Sequence, residues 1–191
     1  MLGLQREQFE HDERFHREIA RLDIAMRLKH MALHFCKYTG QFAEVVHDPE
    51  NMALRSRTIT DSFIISLCSA NTLNLNLSEH VAPDIGGGAT LRDLGLHLGR
   101  QLYPKVKLDD AWLMSAHATH AAKMANACEK IDHLEAFPLR DELQNAVLRL
   151  SQIALIAAVV NNLDLSTAVR ERRKEIRARS SFLTALHQSI R

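Results

Sequence analysis

Apolar positions recur with a helical period along nearly the whole chain. Between residues 5 and 47, Ile19, Leu22, Ala25 and Met26, then Leu28, Met31, Ala32 and Phe35, follow helical spacing in a stretch with one glycine and no proline. One helix of that length is unusual in a globular domain, so a break is predicted near Arg21 to Asp23. Asp48-Pro49-Glu50 reads as a stop followed by a start, with Asp48 able to cap the next helix and Pro49 suited to its first turn. That helix is predicted from about Asn51 to Leu75. From Phe63 to Leu73 it is apolar on nearly every face, which predicts a central position.

From Ser78 to Ala89 the periodicity fails. Ala82 to Gly88 is the Gly-rich stretch and reads as a linker. It lacks both the Gly-Lys-Ser/Thr ending and the preceding strand of a phosphate-binding loop. Thr90-x-x-Asp93 predicts a capping box opening a short helix to about Leu102, which Pro104 ends. Further helices are predicted over about 109–133, from Pro138 to about Asn162, and from a Ser166 cap to about His187.

The second half repeats the first. Asn74-Leu75-Asn76-Leu77-Ser78 follows one apolar helix, and Asn162-Leu163-Asp164-Leu165-Ser166 follows the other. Each half reads as a short helix, a long helix and a buried helix. The expected fold is therefore an all-α helical bundle formed by tandem duplication. Its units span residues 1–81 and 90–191, joined by a linker over 82–89 and sharing one core.

Composition narrows this further. Apolar residues make up 46% and charged residues 25% of the 191, ordinary values for a globular protein. Seven glycines and four prolines are too few for a fold of many short strands. The 24 basic and 23 acidic residues nearly cancel, so a global electrostatic grip on nucleic acid or an anionic membrane is not expected. Ile153 to Val160, the most apolar run, is eight residues, against about 20 for a membrane span. The N-terminal residues turn charged at once, unlike a secretory signal. A cytoplasmic protein is expected. Cys36, Cys68 and Cys128 sit in apolar surroundings and are expected to be buried, reduced thiols.

The pattern resembles the MazG-like all-α nucleoside triphosphate pyrophosphohydrolases. In that family one long helix carries Glu-Glu-x-Gly-Glu-Leu-Ala-Glu, and the next carries Glu-x-x-Asp, an apolar run, Ala-Asn and Gly-x-Asp-Leu. Here Lys37-Tyr38-Thr39-Gly40-Gln41-Phe42-Ala43-Glu44 takes the first place. Thr58-x-x-Asp61, Ile64-Ile65, Ala70-Asn71 and Leu75-Asn76-Leu77 take the second. The resemblance implies Mg²⁺ held by helix carboxylates, oxygen ligands being what that hard cation requires. This chain departs at those positions. Lys37, Tyr38, Gln41 and Thr58 stand where acids are expected, leaving Glu44, Asp61 and Asn71 as a remnant. In the second half Thr119, His120 and Lys123 stand at the corresponding places. The resemblance with these departures implies a degenerate member that binds a nucleotide or a partner without hydrolysing it, with no cofactor. The alternatives are an active Mg²⁺-dependent pyrophosphohydrolase, completed by carboxylates of another chain, and a structural or assembly protein. Subunits of the family combine, and the stripe of Phe9, Phe15 and Ile19 leads to the expectation of a homodimer.

Other constellations carry chemistry of their own. His30 and His34 share a helix face, as do His117 and His120, and the four imidazoles suit a transition metal. They equally suit polar groups lining a bundle, and no carboxylate lies along either face to support them. Glu13-x-x-His16 and Glu44-x-x-His47 have the spacing of di-iron bundles, but the helix geometry sets them too far apart. Arg170, Arg172, Arg173 and Lys174 form a basic run that suits an anion contact, or a solvated face with Glu–Arg pairs.

Overall fold

A computed structural model describes residues 1–85, 88–133 and 136–179. Among these residues it has nine helices and no strand. They are α1 (Leu2–Phe15), α2 (Arg17–Ala20), α3 (Ile24–His47), α4 (Met52–Thr72), α5 (Leu77–His80), α6 (Leu91–Leu102), α7 (Asp110–His133), α8 (Leu139–Val160) and α9 (Leu165–Ala178).

The four long helices form the body. α3 packs on α4 and α7, and α8 packs on the same two. α4 and α8 are its interior pair: Phe63, Ile59 and Leu67 of α4 and Leu150, Leu155 and Ile156 of α8 are all essentially inaccessible. The buried apolar residues of both halves belong to one cluster. α8 is long and apolar enough to cross a bilayer, and 67% of its most apolar window is buried within the bundle.

The shorter helices cover this body in matching ways. α1 packs on α4, and α6 packs on α8. The second contact is very close, since a Cβ on Gly95 would lie 2.5 Å from the Leu155 carbonyl oxygen. That is a packing reason for a glycine inside a helix.

The repeated Asn-Leu-[Asn/Asp]-Leu-Ser segment has a clear local cause. Asn74 and Asn162 are the non-glycine residues with positive φ among those described, at 51° and 50°. Asparagine tolerates this left-handed conformation better than most residues. At the end of α4, the Asn74 amide donates to the Asn71 carbonyl (3.2 Å) and the Leu75 amide to the Ala70 carbonyl (2.9 Å). At the end of α8, the Asn162 amide donates to the Val159 carbonyl (3.0 Å) and the Leu163 amide to the Ala158 carbonyl (2.8 Å). This is the paired bond pattern of a Schellman cap, formed twice. The next residue in each segment, Asn76 or Asp164, then caps a new helix, and Leu77 and Leu165 are buried behind it.

Several local expectations hold, and others need correction. The Thr90–Asp93 capping box forms with both reciprocal bonds, and Asp23 caps α3 after the predicted break. The next cap is Asn51 rather than Asp48: its side chain accepts from the Leu54 amide, while Pro49 and Glu50 occupy the turn. Asp164, not Ser166, caps α9, because its carboxylate reaches the Thr167 amide. Residues 77–80 are helical where no periodicity was visible, since Asn76 supplies a cap. Cys36 is exposed rather than buried, whereas Cys68 and Cys128 are buried. Gly86, Gly87 and the predicted continuation of the last helix from residue 180 to about His187 lie outside the described residues. Ala82, at the start of the linker stretch, and Val81 just before it are buried, and Gln152 donates to the Val81 carbonyl at 2.8 Å.

Candidate functional site

α1 is fastened to the bundle by polar groups from both halves. The buried Gln5 side chain donates to the Leu75 carbonyl (2.9 Å) and accepts from the Leu77 amide (2.9 Å). Asn71 donates to the Gln5 carbonyl at 3.0 Å. Arg173 of α9, itself buried, donates to Gln8 (2.8 Å), Glu7 (2.8 Å) and the Leu4 carbonyl (2.9 Å). Between α1, α2, α3, α4 and α9 these contacts leave a cavity of about 260 Å³.

The cavity wall sets a cluster of polar groups among apolar side chains such as Ile64, Ile65 and Ile176. α3 contributes His30, His34, Lys37 and Tyr38, which recur at helical spacing and so share one face. α4 contributes Asp61 and Cys68, and α9 contributes Arg172. Asp61 and Arg172 form a bidentate pair at 2.6 and 2.9 Å, with Arg57 3.9 Å from the same carboxylate. The Asp61 hydrogen bond holds the Arg172 proton more firmly than usual. Burial pushes the Tyr38 hydroxyl well above its ordinary pKa and also pushes up the Cys68 thiol, which lies beside Asp12.

Burial lowers the pKa of His34 to about 4, aided by Lys37 and His30, and lowers that of His30 as well. Both imidazoles are therefore neutral at pH 7. Lys37 Nζ has only protons to give, so His34 Nδ1, 3.3 Å away, accepts. His34 Nε2–H is left to donate to His30 Nε2 at 3.2 Å.

α1 and its end supply His11, Asp12 and His16, whose ligand atoms all lie within 4.8 Å of one another. Both ring nitrogens of His11 are buried without a hydrogen-bond partner among the described residues. An unmade bond of that kind costs about 1–3 kcal/mol. Asp12 accepts from Gln8 Nε2 at 2.8 Å. Sequence reasoning did not find these residues. His16 came up only in the di-iron spacing, and His11 and Asp12 look like polar positions of an amphipathic helix.

The residues singled out from sequence divide between places. Asp61 lines the cavity, whereas Glu44 is exposed on α3 and Asn71 binds the α1 backbone. At two positions where acids were expected, Thr58 Oγ1 lies 3.3 Å from Gln41 Oε1 and donates to the Leu54 carbonyl. His30 and His34 face the cavity, but His117 does not join them. It is buried against Phe35 and Phe42, with Nδ1 3.0 Å from Thr39 Oγ1 and Nε2 3.0 Å from Ser62 Oγ. His120 has its pKa lowered to about 4 by burial and by Lys123 and Arg149. Carboxylates do lie near His34, contributed by other helices rather than by its own face. Arg172 and Arg173 are engaged in internal pairs, and Lys174 pairs with Glu171 (2.7 Å). Arg170 lines an open groove between α1 and α9.

Comparison with protein-family models, with curated proteins and with solved structures gives no match. The resemblance therefore rests on the residues of this chain alone.

Proposed function

We propose that this chain is a degenerate MazG-like protein, a tandem duplication of one helical unit, that binds a nucleotide in the α1–α3–α4 cavity without hydrolysing it. The observation that carries the reading is the Asp61–Arg172 pair. The carboxylate aligned with the family's metal-binding acid is already neutralised by a guanidinium, with Lys37 and Tyr38 on the same cavity wall. A hard dication needs several unpaired carboxylate oxygens, and this wall offers cations instead. The cations Lys37 and Arg27 suit phosphate oxygens as partners. The twofold occurrence of the Schellman cap and the matched packing of α1 on α4 and α6 on α8 support duplication. Association into a homodimer through the α1 face carrying Phe9, which is 51% exposed, belongs to the same proposal.

Calorimetry with ATP in magnesium-free buffer tests the binding step. The expected result is the same affinity with and without Mg²⁺, and at least about tenfold weaker binding after Lys37→Ala, the loss of one charge-assisted contact. Binding that requires Mg²⁺ and disappears in Asp61→Asn would contradict it.

A further inference from the structure

We infer that His11, Asp12 and His16 form a binding site for one divalent transition-metal ion of the Zn²⁺ or Co²⁺ class. This does not depend on the nucleotide reading.

The chain geometry brings the three together. On a continuous helix, positions 11 and 16 would point about 140° apart at 100° per residue. His16 instead leaves the helix, with φ −130° and ψ 43°, and α2 starts anew behind it. That break carries His16 back to the side of His11 and Asp12, so that one ligand atom from each falls within 4.8 Å of the others. An ion about 2.0–2.2 Å from each ligand would draw them modestly closer.

His11 is the second, independent sign. It is only 9% exposed, and both its ring nitrogens are buried and unpartnered among the described residues. A buried imidazole normally finds a partner, and an orphan asks for one. Its Nδ1 lies 3.7 Å from Asp12 Oδ1, beyond a hydrogen bond but suited to two ligands of one ion. Asp12 is oriented in turn by Gln8 (2.8 Å), and Gln8 by Arg173 (2.8 Å). Outer partners of this kind fix ligands in metal sites. All three ligands line the cavity that His30 and His34 also line, which leaves room beside them for a further ligand of the ion. Two imidazoles with one carboxylate favour Zn²⁺, Co²⁺ or Fe²⁺ over Mg²⁺ or Ca²⁺, which take oxygen ligands.

The test uses the full chain, stripped with a chelator and titrated with Co²⁺ alone and Zn²⁺ alone. One ion per chain is expected, with a visible Co²⁺ ligand-field band that Zn²⁺ abolishes and millimolar Mg²⁺ does not. His11→Ala and His16→Ala should each weaken binding at least about 100-fold, and Gln8→Ala about 10–100-fold, the usual effect of an outer partner. Circular dichroism checks that each variant is folded. Asp12→Asn, which keeps the side-chain shape, serves if the histidine variants unfold: Zn²⁺ should raise the melting temperature of the wild type but not of this variant. Absence of stoichiometric binding by the wild type overturns the inference. So does binding that survives in His11→Ala and His16→Ala, or Zn²⁺ stabilisation that survives in Asp12→Asn.

Discussion

Phe63→Ala is expected to cost about 3–5 kcal/mol of stability, the usual range for truncating a fully buried aromatic. A domain's whole stability is about 5–15 kcal/mol, so the variant should be largely unfolded in mild denaturant. Phe63 has no accessible surface, and its helix α4 touches α1, α3, α8 and α9. A cavity there is felt by both halves of the chain. Urea denaturation should show a lower midpoint with an unchanged slope. Ile65→Ala, two residues on, should cost less, because Ile65 is only partly buried and lines the cavity beneath α1. A loss below about 1 kcal/mol for Phe63→Ala would mean that α4 is not the shared centre of the bundle.

The second large effect is acid sensitivity set by His117. Burial lowers its pKa to about 3, and the nearby His120 acts in the same direction. Its hydrogen bonds fix the neutral tautomer. Thr39 Oγ1 already donates its proton to the Phe35 carbonyl (3.1 Å), so Nδ1–H must be the donor to Thr39, and Ser62 Oγ–H donates to Nε2. In the unfolded chain the imidazole titrates near 6.5. Between about pH 6.5 and pH 3 the unfolded state therefore binds more protons, and stability falls as pH falls. Below the folded pKa the loss levels off. Each pH unit between the unfolded and folded pKa values corresponds to about 1.4 kcal/mol, so the total is several kcal/mol. Unfolding free energies measured by urea at pH 7, 6, 5 and 4 should drop steadily. His117→Gln should be less stable at pH 7 but show a shallower dependence. An unchanged pH dependence in the variant would place the titrating group elsewhere.

Much of the helical framework was legible because it rests on local causes. The period of apolar residues located α3, α4, α7 and α8 within a few residues, and Thr90 and Asp93 lie within bonding reach of each other by sequence alone. The repeated Asn-Leu-[Asn/Asp]-Leu-Ser also pointed to something real, since its residues serve locally as left-handed cap, buried leucine and new helix cap. The caps at Asn51 and Asp164 were displaced from their expected places because several capping residues stand side by side, and only backbone geometry selects among them.

The cavity was not legible. It depends on contacts such as Gln5 with Leu75 and Arg173 with Gln8, which join residues 70 and 165 positions apart. The helix break at His16 carries no glycine or proline to announce it. The resemblance directed attention to Lys37, Tyr38 and Asp61, which do lie on one wall, but it gave no reason to look at α1. By sequence Arg172 belongs to a basic run that suits an anion contact or a solvated face. In the fold it faces Asp61, 111 positions away in the chain.

The central claim is that this Asp61–Arg172 pair stands where a metal-dependent hydrolase would hold its ion. Pyrophosphate release from the common nucleoside triphosphates in millimolar Mg²⁺, measured for the wild type and for Asp61→Asn, tests it most directly. The account predicts no turnover above the enzyme-free rate for either. Turnover by the wild type that Asp61→Asn abolishes would contradict it.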